Sequence, residues 1–334
     1  MPYYNTNKGS WLHRGLTAVK NNFKMVPMRK NGTSSRTVIF TALLANVFIA
    51  LVKFIVAALT FSSAMLAEAI HSAADTLNQV LLLVGIKKGK RAPDSLHPFG
   101  FSGELYFWSF IVAIILFSAG AVFSIFEGIH KLLHPVPIEN VGYAFAVLIF
   151  SIIAEGIAFL NAYKKIKRER GNQSVFSYLR RTKKSELIVV FLEDLAAISG
   201  LSAALLLIFL EHITGILIFD GIASIIIGLI LTVVALFMGN ETRSLLLGES
   251  ADPRLIKRIS AIFNEEESIN HVIYIKSLQL GPEDILISVK AEFNERLNAR
   301  EISNIINAVE KEIRTQFPDV KKIFIEPDVY KNGY

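Results

Sequence analysis

The chain has 334 residues, 52% of them hydrophobic, with a mean hydropathy of +0.45 and a formal net charge of +6. Cysteine is absent, which excludes disulfides, thiolate-held metals and cysteine nucleophiles, so any metal is held by nitrogen and oxygen. The positive charge calls for no nucleic-acid partner, because basic loops between apolar stretches account for it, with anionic lipid as their natural counterpart.

Residues 1–36 form a basic arm, and no acidic residue occurs before Glu68. Two readings fit such an arm. One is a cytoplasmic segment resting on the membrane through Trp11, Leu12 and Phe23. The other is an organellar transit peptide, which the preference for Lys and Asn over Arg and Ser disfavours. Six apolar stretches follow, at about 37–59, 64–86, 105–130, 141–163, 186–210 and 215–238. Each has the roughly 20 residues needed to cross about 30 Å of hydrocarbon. Lys and Arg crowd the arm and the loops 87–104 and 164–185, whereas the three opposite loops carry only Lys131. The positive-inside rule then places both termini in the cytoplasm or its topological equivalent. Loop 164–185 is too polar to span. Gly120, Gly156, Gly200 and Gly228 are expected to permit close helix packing.

Residues 239–334 read as a cytoplasmic α+β domain of order αββαβ, ferredoxin-like in arrangement. Asp252 caps and Pro253 opens the first helix. His271 to Leu280 is a strand. Ile285, Ile287, Val289, Ala291 and Phe293 alternate with polar residues, as in a half-buried strand. Ile302, Ile305, Ile306, Val309, Ile313 and Phe317 form one stripe of a second helix, and Val320 to Ile325 is the last strand.

The chemistry lies in charged residues that interrupt the apolar stretches. His71 and Asp75 are four residues apart in span two, with Glu68 three residues before His71. All three share one helix face. An imidazole and a carboxylate at this spacing are half of a divalent-metal site. Glu193 and Asp194 interrupt span five, and charge in lipid is costly unless it faces a cavity or a bound ion. Lys53 in span one reads as an internal ion-pair partner or a snorkelling side chain. Asn46, Glu155 and Asp220 read as interhelical contacts, with no role assigned.

Six spans, HxxxD in span two and an α+β tail together resemble the cation diffusion facilitator family of zinc and related metal exporters. The runs that carry the resemblance are Ser63-Ala64-Met65-Leu66-Ala67-Glu68-Ala69-Ile70-His71-Ser72-Ala73-Ala74-Asp75, His97-Pro98-Phe99-Gly100 and Ile325-Glu326-Pro327. The family's transport site takes two ligands from span two and two from span five, at i and i+4 on each. That implies His71, Asp75 and Asp194, but Val190 stands where the fourth ligand belongs. The fourth position is left open to Glu193, Glu68, Asn78 or water. The Glu193-Asp194 pair and the run Asp75-Thr76-Leu77-Asn78-Gln79 are similar to the divergent branch around zinc transporter nine. The resemblance also implies an inner-loop site with Asp94 and His97, although Phe101 replaces its second histidine. In the tail, His271, Glu326 and Asp328 are the remaining candidates.

The resemblance thus implies a membrane-embedded all-α transporter domain over residues 37–238 followed by the α+β domain. The expected function is proton-coupled efflux of a divalent cation, zinc first and manganese, iron or cobalt as alternatives, with no enzyme activity and no cofactor. Metal and protons compete for the same ligands. Spans one, two, four and five are expected to rock against three and six, and the tails to pair as a homodimer. The expected setting is a bacterial cell membrane, with an organellar one as the alternative. A transport-incompetent relative that senses metal or assists a partner transporter is the rival reading, and Val190 favours it. A channel is a third, for which no ring of pore-lining charge is present.

Overall fold

Serine, threonine and glycine set the ends of long apolar helices in the computed structural model, which describes residues 35–330. The basic arm lies outside the described residues up to residue 34. Helices α1 (Ser35–Thr60) and α2 (Ser63–Gly89) are joined by a tight turn in which Phe61 takes a left-handed conformation. Span three is α3 (Glu104–Ile115), a π-helical stretch (Leu116–Val122) and α4 (Phe123–Leu133), continuous with one another. Then come α5 (Val141–Arg170), a short α6 (Val175–Arg181), α7 (Ser185–Thr214) and α8 (Ile218–Leu247). Five segments, α2, α3–α4, α5, α7 and α8, are long and apolar enough to cross a membrane. The described part of α1 adds the apolar stretch Asn46–Thr60.

Loop 164–185 differs from its expectation. Helix α5 runs on to Arg170, and Ser174 caps α6 by accepting the Ser177 N–H. Polarity keeps this segment out of lipid but does not oppose helix, for which Lys and Arg are good formers. Helix α8 likewise continues to Leu247 before Gly248 ends it at φ +97°.

Spans three and six pack backbone against backbone. A Cβ added at Gly128 would lie 2.6 Å from the Gly221 carbonyl, and one at Gly228 would lie 2.8 Å from the Ala121 carbonyl. Gly120 and Gly200 also face close neighbours, as expected. Gly156 does not: a Cβ there meets nothing within 4 Å, so its packing role is withdrawn.

A buried carboxylate ties the far ends of the spans together. Asp220, at the start of α8, accepts from Ser62 Oγ at 2.6 Å, Ser63 N at 2.7 Å and Ala64 N at 3.1 Å. The Ser62 hydroxyl in turn accepts the Met65 N–H. The first-turn N–H groups of α2, which have no partners within the helix, are thereby satisfied by an anion on span six. Lys131 of α4 lies 3.4 Å from the same carboxylate and donates to the Phe61 carbonyl. The lysine that sequence placed in a loop is a buried interhelical tie.

The tail is a three-stranded sheet in the order β1 (Ile269–Gly281), β2 (Asp284–Phe293), β3 (Val320–Pro327), antiparallel then parallel. Helices α9 (Pro253–Glu265) and α10 (Ala299–Gln316) complete its core. The alternating residues Ile285 to Phe293 are buried against Ile259, Phe263, Val309 and Ile313. Asp252 caps α9, and Asn298 with Glu301 forms a reciprocal capping box on α10.

Candidate metal centre

Helical spacing brings His71 and Asp75 together as expected: Nδ1 and Oδ1 are 3.4 Å apart, with His71 buried and Asp75 half-buried. The contact is not a hydrogen bond. Among the described residues both His71 nitrogens, Asp75 Oδ1 and Asp194 Oδ2 are buried without a hydrogen-bond partner. Buried polar atoms are normally satisfied, so four unsatisfied ones on two facing spans mark a place suited to a ligand.

Spans two and five meet at this level. Asn78 donates from Nδ2 to Glu193 Oε1 at 2.6 Å, and both side chains are buried. Higher up, Glu68 Oε1 lies 2.8 Å from where a Cβ on Gly200 would stand, so a glycine in span five makes room for a carboxylate of span two. Glu68 Oε2 lies 3.3 Å from Lys53 Nζ, which also donates to Ser72 Oγ at 2.7 Å. Of the two readings for Lys53, the internal ion pair is the one present.

Not all candidates converge. Among the described residues no three histidine or carboxylate side chains stand in metal-binding geometry. His71 and Asp75 form a pair, Glu193 is engaged by Asn78, and Glu68 by Lys53. Val190 is 39% exposed, so protein does not pack over the position four residues before Asp194.

Glu155 of α5, read from the sequence only as an interhelical contact, was not counted among the site candidates. It lies within electrostatic reach of Asp75, Glu193 and Asp194. The signal was available, since Glu155 is the single acid within stretch 141–163, the same costly interruption that singled out span five.

The other candidates are occupied locally. Asp94 Oδ1 accepts from the backbone of His97 at 2.7 Å and of Leu96 at 3.0 Å, and sits 3.1 Å from His97 Nδ1. The His97 N–H, chief among these, holds the Asp94 carboxyl below its usual range. The pair fixes an exposed turn, as aspartate does in Asx-turns, and His97 stacks on Phe101. In the tail, His271 packs on Tyr330, and Glu326 and Asp328 both pair with Lys290.

Long apolar helices in a bundle, with unsatisfied imidazole and carboxylate atoms at mid-height, define a multi-pass integral membrane protein built around buried charge. The family of the cation efflux transmembrane domain matches residues 39–247, and the chain belongs to the cation diffusion facilitators, in the part of that family resembling zinc transporter nine. It is 32% identical over 265 residues to the human protein named proton-coupled zinc antiporter SLC30A9, mitochondrial, covering 79% of this chain and 47% of that one. It is 30% identical over 269 residues to metal tolerance protein C4 of Arabidopsis thaliana, covering 80% and 59%. To the manganese efflux system protein MneP of Bacillus subtilis it is 26% identical over 299 residues, covering 89% and 96%. The chain thus spans about half the length of the human relative.

Proposed function

We propose that this protein exports a divalent cation by exchange with protons, and that His71, Asp75, Asp194 and Glu193 hold the ion between spans two and five. The observation that carries the reading is the set of unsatisfied buried atoms on His71, Asp75 and Asp194, beside the Asn78–Glu193 bond that joins the two spans. One imidazole with carboxylates suits zinc, and the names of the zinc antiporter relatives agree with that choice. The manganese efflux relative fits a more oxygen-rich shell, to which Glu155 adds. Glu193 reaches the ion by releasing Asn78. Only deprotonated ligands bind metal, so a proton arriving from the far side displaces the ion and is carried back. The acid-free basic arm and the basic loops favour cytoplasmic termini.

A second reading, a metal-sensing or partner-assisting relative that does not transport, draws on Val190 and on the absence of three converged ligands among the described residues. Metal flux into proteoliposomes under an imposed pH gradient separates the two. The parent is expected to move Zn2+ with the gradient, and Asp75→Ala and Asp194→Ala are expected to abolish flux. Equal flux in all three rejects the site, flux indifferent to the gradient rejects antiport, and a parent that binds Zn2+ without moving it selects the second reading.

A further inference from the structure

The far end of span three carries a second group of metal-ligating side chains, remote in sequence from the centre between spans two and five. His130 lies in the last turn of α4, and His134 is the residue that caps it. Their ring centroids are 4.9 Å apart with the planes tilted by 34°, and both side chains are exposed. The backbone leaves the helix at His134 (φ −129°), so the two do not share a helical face, but rings this close need only side-chain rotation to offer one nitrogen each to a common ion.

Two features favour a cation there. The helix C-terminus carries partial negative charge. Lys131, the one basic residue between the two histidines, is turned inward onto Asp220 and the Phe61 carbonyl and does not stand over the rings. The Phe126 ring flanks His130 on the same helix, centroids 6.5 Å apart and planes 22° from parallel. The ties from Lys131 and Asp220 to the start of α2 put this turn at the end of the bundle opposite the α+β domain.

We propose that His130 and His134 chelate a borderline divalent cation, Zn2+ or Co2+, with water completing the shell. Two nitrogen ligands bind such ions weakly and discriminate against Mn2+, Mg2+ and Ca2+, which prefer oxygen. A weak site at the far mouth receives an ion as it leaves the bundle and releases it to bulk solution. The inference deepens the efflux reading and rests on it for the direction of travel, but not for the binding itself.

The test uses the full chain in nanodiscs of neutral lipid, both as the parent and as an Asp75→Ala/Asp194→Ala variant that lacks the candidate transport ligands. Carbethoxylation of each histidine by diethyl pyrocarbonate is timed by mass spectrometry with Zn2+ or Mn2+ as the sole probe. Zn2+ is expected to slow modification of His130 and His134 together in both proteins, and Mn2+ at equal concentration is not. His134→Gln is expected to raise the Zn2+ needed to protect His130 by at least the ~10-fold that loss of even an outer partner costs a metal site. His130→Gln does the same to His134. Rates unchanged by Zn2+, or protection of one histidine that survives loss of the other, overturn the proposal. Protection that persists while flux ignores Asp75→Ala and Asp194→Ala supports this site and removes the transport centre. Flux that needs both acids, with no protection here, does the reverse.

Discussion

Replacing Lys53 by methionine tests whether the buried Glu68 carboxylate, one turn from His71, is held by a single cation. Its ammonium and the Glu68 carboxylate are 3.3 Å apart, with 1% and 0% of each side chain exposed. At an effective dielectric of about 20 the attraction is about 5 kcal/mol. Desolvation offsets much of that, yet removing one member of a buried pair strands the other, at a cost of about 3–5 kcal/mol. Lys53→Met leaves Glu68 without its cation. Glu68→Gln leaves Lys53 with only the Ser72 hydroxyl. Each single variant is expected to lose about 3–5 kcal/mol, whereas Lys53→Met/Glu68→Gln, with no buried charge at either position, loses less than the sum by about 2 kcal/mol or more. The assay is SDS-titrated unfolding of the full chain in mixed micelles, followed by far-ultraviolet circular dichroism. Strict additivity of the two losses would falsify the pairing.

Asp220→Ala removes the anion that caps α2 and strands Lys131, for an expected loss of about 3–5 kcal/mol in the same titration, part of it regained in Asp220→Ala/Lys131→Met. Gly128→Ala drives a Cβ to 2.6 Å from the Gly221 carbonyl and is expected to cost about 1–3 kcal/mol. Gly156→Ala, with nothing within 4 Å, is its control and should be neutral or gain up to about 1 kcal/mol from helix propensity. Val190→His is accommodated because the position is not packed over, and it supplies a second imidazole one turn from Asp194. Calorimetry should then show tighter Zn2+ binding, and unchanged binding removes Val190 from the wall of the site. Glu155→Gln withdraws one negative charge from the field around Asp75 and Asp194, so metal affinity should fall by roughly 10-fold in the same measurement.

The spans, the strands and the two capped tail helices were legible because each rests on local chemistry. Apolar runs of sufficient length, alternation from Ile285 to Phe293 and the Asp252-Pro253 start are read within a single segment. Lys53 and Glu68 could be suspected of pairing because lipid offers a lone charge nothing else. What stayed hidden depends on which helix stands beside which. Asp220 read as an interhelical contact, which it is, but its partners, Ser62 to Ala64, lie more than 150 residues earlier and could not be named. Gly156 looked like Gly228, yet one faces open space and the other a backbone, a difference no composition encodes. The Asn78–Glu193 bond was equally invisible, since an asparagine on the right face serves as ligand or as restraint depending on what arrives opposite.

The glycine contacts between spans three and six fix how close the two come. With a Gly128 Cβ position 2.6 Å from the Gly221 carbonyl and a Gly228 Cβ position 2.8 Å from that of Ala121, each main chain comes within reach of the other at both levels. At these two levels the spacing of the rods is set by the main chains themselves, and a single added methyl would have to push them apart.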